Sequence, residues 1–178
     1  MNDDLLDTLR TAQRVGFFGR RPIEQAVEHS MSFVDALRDI TFSTLLDLGS
    51  GGGLPGLVVA SEFPDVRITL LDRRQKRTDF LEQAVRRLGY AQVSVRFADV
   101  RSVVDEVRRG VTARADVVTA RGFGPPEDTI RVATDLVTER GRIVISEPPT
   151  GDRWSAELLG ELGLTSERLG AVRMFTRR

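Results

Sequence analysis

The 178-residue chain has no cysteine, one histidine (His29), one tryptophan (Trp154) and one lysine, Lys76. Without cysteine there is no disulfide scaffold, no thiolate metal site and no cysteine nucleophile. A single histidine rules out a His-rich metal centre and leaves any Ser-His-Asp triad one candidate base. No apolar run approaches the ~18–20 residues that a membrane helix needs, and the acidic opening stretch is unlike a signal or transit peptide. A cytoplasmic address with no membrane partner is therefore expected. Charge of one sign is also missing: 26 cations balance 26 acids. A histone-like polycation is excluded, and a nucleic-acid partner would have to be met by a local patch.

What is present suits one globular domain with its own core, 40% hydrophobic and 29% charged. Its charges are unevenly placed. Positions 72–109 carry ten cations against six acids, and positions 10–21 carry four arginines and no acid. No internal repeat or low-complexity segment interrupts the chain.

Residues 1–43 read as helical. Ile23, Ala26, Val27, Ser30, Val34 and Leu37 share one side of a helical wheel behind Pro22, and Gly16–Arg21 reads as a turn. Short apolar runs then appear at Thr44–Leu48, Arg67–Leu71, Val93–Phe97, Asp116–Thr119 and Arg142–Ser146. Helical patterns lie between them at Leu57–Glu62, Arg74–Leu88, Ser102–Arg109 and Glu127–Glu139, and another follows at Ala156–Leu162. Two last runs, Thr165–Leu169 and Val172–Thr176, have hairpin spacing. Strands alternating with helices predict an α/β fold with a mostly parallel sheet covered on both faces. Ending that sheet in an antiparallel hairpin gives the layout of a class I, Rossmann-like, seven-stranded methyltransferase. The division expected is a helical extension over 1–43, packing on a cofactor-binding domain over 44–178.

Five of the 16 glycines fall within Asp47-Leu48-Gly49-Ser50-Gly51-Gly52-Gly53-Leu54-Pro55-Gly56, where the first strand turns into the first crossover helix. Glycine there permits a sharp turn and the close approach of a ligand, and such turns face the pocket at the carboxyl ends of the strands. Asp72 ends the second strand, the usual place for a carboxylate that accepts from both ribose hydroxyls. Asp99, just past the third strand, can border an adenine. Two cofactors compete. Gly51 to Gly56 matches G-x-G-x-x-G with Asp72 ~20 residues on, as a dinucleotide site asks. That match starts three residues past the strand and puts Pro55 where the helix should begin. The register Asp47-x-Gly49-x-Gly51-x-Gly53 suits S-adenosyl-L-methionine better, because a methionine ammonium needs a carboxylate and no pyrophosphate needs a helix end. Glycines serving a tight turn alone remain the bland alternative.

Beyond the turn, Leu71-Asp72-Arg73-Arg74-Gln75-Lys76-Arg77-Thr78-Asp79-Phe80-Leu81 and Val117-Val118-Thr119-Ala120-Arg121 complete the recognisable pattern. With these stretches the chain resembles the bacterial glucose-inhibited division protein B family, class I methyltransferases that modify N7 of a guanine in 16S rRNA of the small ribosomal subunit. The likeness runs from about Leu45 to Ser146. It implies cofactor contacts at Gly49, Leu54, Ala98, Asp99 and Arg121, and an RNA-facing position for Lys76, Arg77 and Arg121. Three departures bear on the substrate and not on the cofactor. The family's Asn-Leu-Thr segment is missing. Its His-x-x-Asp-Ser motif survives as His29-Ser30-Met31-Ser32-Phe33, without the acid. Glu147-Pro148 stands where the family has Lys-Gly.

The residues themselves sharpen this. Cations in a helix's first turn oppose its dipole by roughly 0.3–1 kcal/mol each. Arg73, Arg74, Lys76 and Arg77 therefore read as phosphate contacts more readily than as a solvated face. Arg121 ends the fourth strand, where acceptor bases sit in such enzymes, and with Lys76 it is the catalytic candidate. Absence of cysteine excludes methylation at pyrimidine C5. The in-plane lone pair of guanine N7 needs alignment and charge complementarity but no obligatory base. Phe123 is read as either a base-stacking or a core residue. His29 and Trp154 are read first as structural, second as lid and pocket wall. A small-molecule methyltransferase, an NAD(P)-dependent oxidoreductase and a cofactor-binding protein without catalysis remain the competing readings. A monomer is expected.

Overall fold

The computed structural model describes residues 3–177. Helices α1 (Asp3–Arg14) and α2 (Ile23–Leu37) lead into β1 (Thr44–Leu48), α3 (Gly56–Glu62), β2 (Arg67–Asp72), α4 (Gln75–Leu88) and β3 (Val93–Phe97). Then come α5 (Val100–Arg108), β4 (Ala115–Ala120), α6 (Pro126–Leu136), β5 (Val137–Ser146), α7 (Ala156–Glu161), β6 (Leu164–Leu169) and β7 (Val172–Arg177). The seven strands form one sheet in the order β3-β2-β1-β4-β5-β7-β6. The first five pair in parallel; β7 runs antiparallel to both β5 and β6. This is the expected α/β sheet with its terminal hairpin.

Successive side chains of a strand point to opposite faces, so a strand covered on both sides must be apolar throughout. Val117 and Val144 join the core on one face, with Leu5 and Leu9 of α1, Val27 and Phe33 of α2, Leu57 of α3 and Leu81 of α4. Their neighbours Val118, Ile143 and Ile145 join the other, with Val104 of α5, Ile130 of α6, Leu158 of α7 and Trp154 just before it. The N-terminal helices thus share one core with the sheet. At the far end of β1 from the glycine turn, Asp116 Oδ2 accepts from Ser43 N–H, Thr44 N–H and the Thr44 hydroxyl at 2.9–3.0 Å, holding β1 and β4 in register.

Element bounds differ from expectation by more than one residue in two places. The helical pattern read through Glu139 stops at Leu136, because Val137 is already extended (φ −92°, ψ 146°) and pairs with Ala115 of β4. A β-branched Val-Thr pair favours that strand start, and an irregularity in the ladder absorbs the residues before Arg142. Helix α5 begins two residues earlier than Ser102 because Asp99 caps it, accepting from Arg101 N–H at 2.9 Å.

Candidate active site

The carboxyl ends of β1, β2, β3 and β4 meet at the glycine turn. Beneath the turn Asp47 is fully buried, and its Oδ1 accepts from the Thr119 hydroxyl at 2.7 Å. Oδ2 is buried without a hydrogen-bond partner. Burial pushes this carboxyl up to about 6; the Thr119 hydrogen bond, lesser hydrogen bonds and the Arg121 charge pull against it. Asp47 is not among the residues lining the cleft described below and lies beneath the turn. Thr119 was not among the expected site residues. Its signal was available: a hydroxyl amid the apolar Val117-Val118 run, where parallel strands should be dry on both faces.

Asp72 sits beside the turn and is nearly all used by its own chain. Oδ2 accepts from Gly51 N–H at 2.9 Å and lies 3.4 Å from Arg77 Nη1, while Oδ1 accepts from Arg74 N–H at 2.9 Å. An ionised carboxylate offers about four lone-pair sites, so roughly one is spare. Asp72 therefore clamps the turn to the start of α4 as well as facing the cleft, and a pair of ribose hydroxyls would compete with the long Arg77 contact.

The cleft itself encloses about 580 Å³. Gly49, Leu71, Asp72, Arg73, Arg74, Arg77, Ala98 and Asp99 line one side; Phe123, Asp128, Arg131 and Val132 line the other. Phe123 lies across Gly49, where a Cβ would come 2.7 Å from Cδ2 of the ring, and Gly49 has φ +66°. Both facts require glycine there. The α6 contributions, Asp128, Arg131 and Val132, carry no local motif and were not anticipated. Arg131 is held on the outer side by Glu127 and Glu161.

Other expected residues are placed elsewhere. Leu54 and Gly51 are buried within the turn, and Gly51 N–H donates to Asp72 Oδ2. Lys76 is exposed on α4 and borders a separate shallow groove with Val15, Gly16 and Phe17. Arg121 turns away from the cleft toward α2, where Nη1 donates to Ala26 O at 3.3 Å and Ser30 Oγ at 3.4 Å. Neither catalytic candidate thus borders the cleft. Burial lowers the Arg121 pKa and the Asp47 charge opposes that fall. His29 packs near Phe33, and its buried Nε2 finds no partner. Burial and then Arg121 lower its pKa. Trp154 is a packing anchor, edge-on to Phe175 at 4.8 Å, with its indole N–H on Glu147 at 2.7 Å. Glu147 is itself buried among Arg153 and Arg173. No described cluster of acids or histidine is arranged to hold a metal ion, and no described helix is long and apolar enough to cross a membrane.

Comparison with known proteins bears on this arrangement. Residues 10–149 match the family described as rRNA small subunit methyltransferase G. A ribosomal RNA small subunit methyltransferase G from Ralstonia nicotianae is 32% identical over 177 residues, spanning 92% of this chain and 69% of the relative. One from Neisseria meningitidis is 45% identical over 98 residues, which is 55% of this chain and 44% of that protein. Against such relatives the chain spans from under half to about two thirds of their length. Among solved structures, a putative O-methyltransferase from Klebsiella pneumoniae superposes with a TM-score of 0.73 at 14% identity, covering 100% of this chain and 91% of its own, which establishes the fold alone.

Proposed function

The chain belongs to the rRNA small subunit methyltransferase G family, and on that footing we propose that it transfers the methyl group of S-adenosyl-L-methionine to N7 of a guanine in 16S rRNA. The observation that carries the cofactor half is the turn itself. Gly49 leaves backbone and not a Cβ at the cleft wall, and Asp72 fixes Gly51 while keeping about one acceptor site for a hydroxyl. A cleft of about 580 Å³ flanked by Ala98, Asp99 and Phe123 is large enough for a nucleoside and its amino-acid arm.

When bound, S-adenosyl-L-methionine supplies an electrophilic methyl on a sulfonium. The chain's own residues supply placement. Asp72 orients the ribose, Ala98 and Asp99 border the adenine, and Gly49 lets the ligand lie against the backbone. Asp47 and Thr119 keep the turn in place from below, and the Asp47 charge favours cationic groups above it. Arg121 is a positioning residue, tying the end of β4 to α2 beside the acceptor side. Guanine N7 attacks through an in-plane lone pair, so alignment is what the protein must provide and no base is required. Arg73, Arg74, Lys76 and Arg77 face the RNA phosphates at the mouth. With that substrate the protein would act in the cytoplasm.

The test is transfer of a labelled methyl group to small ribosomal subunits lacking the modification, with N7-methylguanine then mapped in the 16S rRNA. Label in that base is the expected outcome. Cofactor binding without any transfer to RNA would point to a small-molecule acceptor or to no catalysis, and binding of NAD(P) in place of S-adenosyl-L-methionine would overturn the cofactor assignment.

A further inference from the structure

We propose that the loop joining α1 and α2 is a second phosphate-gripping surface for the RNA, continuous across a groove with the first turn of α4. The inference rests on the RNA substrate argued above and adds a face of the molecule to it. Residues 10–21 hold Arg10, Arg14, Arg20 and Arg21 and no acid. Arg10 is committed to Glu24 at 3.0 Å and to Asp7. Arg14 reaches only the Thr11 hydroxyl, and Arg20 and Arg21 have no acidic partner among the described residues. At the start of α4, Arg73, Arg74 and Lys76 likewise have none among the described residues, whereas Arg77 is engaged with Asp72. A groove of about 330 Å³ runs between Val15, Gly16 and Phe17 of the loop and Arg74, Lys76 and Arg77 of α4, and Arg14, Arg20, Arg21 and Arg73 lie close to these two segments in the chain.

Its geometry is held from within the chain. Gln13 Nε2 donates to Gly19 O at 2.8 Å and to Arg21 O at 2.6 Å, pinning both ends of the arginine-bearing segment. Phe17 meets Phe80 of α4 edge-on at 5.5 Å, with the Arg77 guanidinium 5.9 Å from its centroid. Phe18 lies on Gly52, where a Cβ would come 2.6 Å from Cζ, so the loop is seated directly on the cofactor turn. Val15 stays 55% exposed at the groove's lip.

A solvated charged face normally interleaves its signs, and like charges gathered without acids repel unless an anion arrives. Arginines without acidic partners on the loop, beside the cations at the start of α4, match a sugar-phosphate backbone. Arginine also suits phosphate geometrically, through its planar fork. Because the same loop touches Gly52, a backbone held here is held at a set distance from the methyl donor. The loop would thereby register the acceptor guanine.

The experiment compares the parent protein with Arg20→Ala/Arg21→Ala and with a control, Arg86→Ala/Arg87→Ala, which removes equal charge from the far end of α4. Binding to in vitro transcribed 16S rRNA is measured across salt concentrations, beside cofactor affinity and methyl transfer to undermodified subunits. The loop pair should bind RNA about ten-fold or more weakly, with the salt slope reduced by roughly 1–2. Its KM for RNA should rise while kcat and cofactor affinity hold, and the control should behave as the parent. Gln13→Ala, which keeps every charge, should lose part of the same affinity. A loop pair matching the parent in affinity and slope, or a control losing as much, overturns the proposal while parental methylation leaves the substrate reading standing. A parent that neither binds nor methylates 16S rRNA overturns the substrate reading and this inference with it.

Discussion

Thr119 on β4 stands directly opposite Asp47 on β1 in the parallel ladder, and its hydroxyl donates to the buried carboxylate at 2.7 Å. This contact lies under the glycine turn and links the two strands whose ends frame the cleft.

Thr119→Val should therefore destabilise the fold in a pH-dependent way. Burial holds the Asp47 carboxyl at about 6, above its ordinary 3.8. The stability tied to this group is thus full below pH ~4 and lost as pH rises through about 6. Removing the hydroxyl pushes the carboxyl higher still and leaves the ionised form with less solvation. The expected loss is ~1–3 kcal/mol at pH 7.5 and smaller at pH 4.5. Urea unfolding at both values checks it, and a larger loss at the lower pH contradicts it.

The lone histidine makes a second relationship measurable. Burial lowers the His29 pKa most, and the Arg121 charge lowers it further. Arg121→Ala should raise the His29 pKa but keep it below 6.5, the ordinary value of an imidazole in water. A proton NMR titration of the single imidazole reads this directly; no change would remove Arg121 from its surroundings.

Gly49→Ala should cost roughly 1–2 kcal/mol of stability and at least about ten-fold in cofactor affinity, since it meets both a positive φ and the Phe123 ring. Adding Phe123→Ala should recover part of the stability, because only the steric half is relieved. Thermal unfolding and calorimetry with S-adenosyl-L-methionine distinguish the two contributions; full recovery would show that backbone strain plays no part.

Lys76 and Arg77 should separate in function despite being adjacent. Lys76→Ala, on the exposed side of α4, should leave cofactor affinity unchanged and raise the KM for RNA several-fold. Arg77→Ala should weaken both, because Arg77 lies 3.4 Å from Asp72 and lines the cleft. Equal effects on cofactor binding would overturn this separation.

Much of the fold was legible because it follows from neighbours in sequence. The apolar strands, the glycine run after β1 and the hairpin spacing of β6 and β7 are each local patterns with one physical solution. The misread at Val137–Glu139 arose where a helix and a strand share apolar residues without a breaker between them. Most of the expected cleft residues on the β1–β3 side meet where expected, because loops at the carboxyl ends of parallel strands converge. The α6 wall was not legible: Asp128, Arg131 and Val132 lie about eighty residues from Gly49, and only packing brings them across from it.

By itself the sequence determined the α/β order, the glycine turn and the concentration of cations at the start of α4, since each depends on residues a few positions apart. Only the tertiary structure decided the division of labour among charged groups at the strand ends. Asp47 and Asp72 both read as ligand carboxylates, yet one lies beneath the turn and the other beside it. Arg121 reads as an acceptor contact, yet it bonds to α2 more than ninety residues earlier. A side chain's role there follows from which way its strand's last residues point and which helix covers them, and that is set by the packing of the two layers on the sheet.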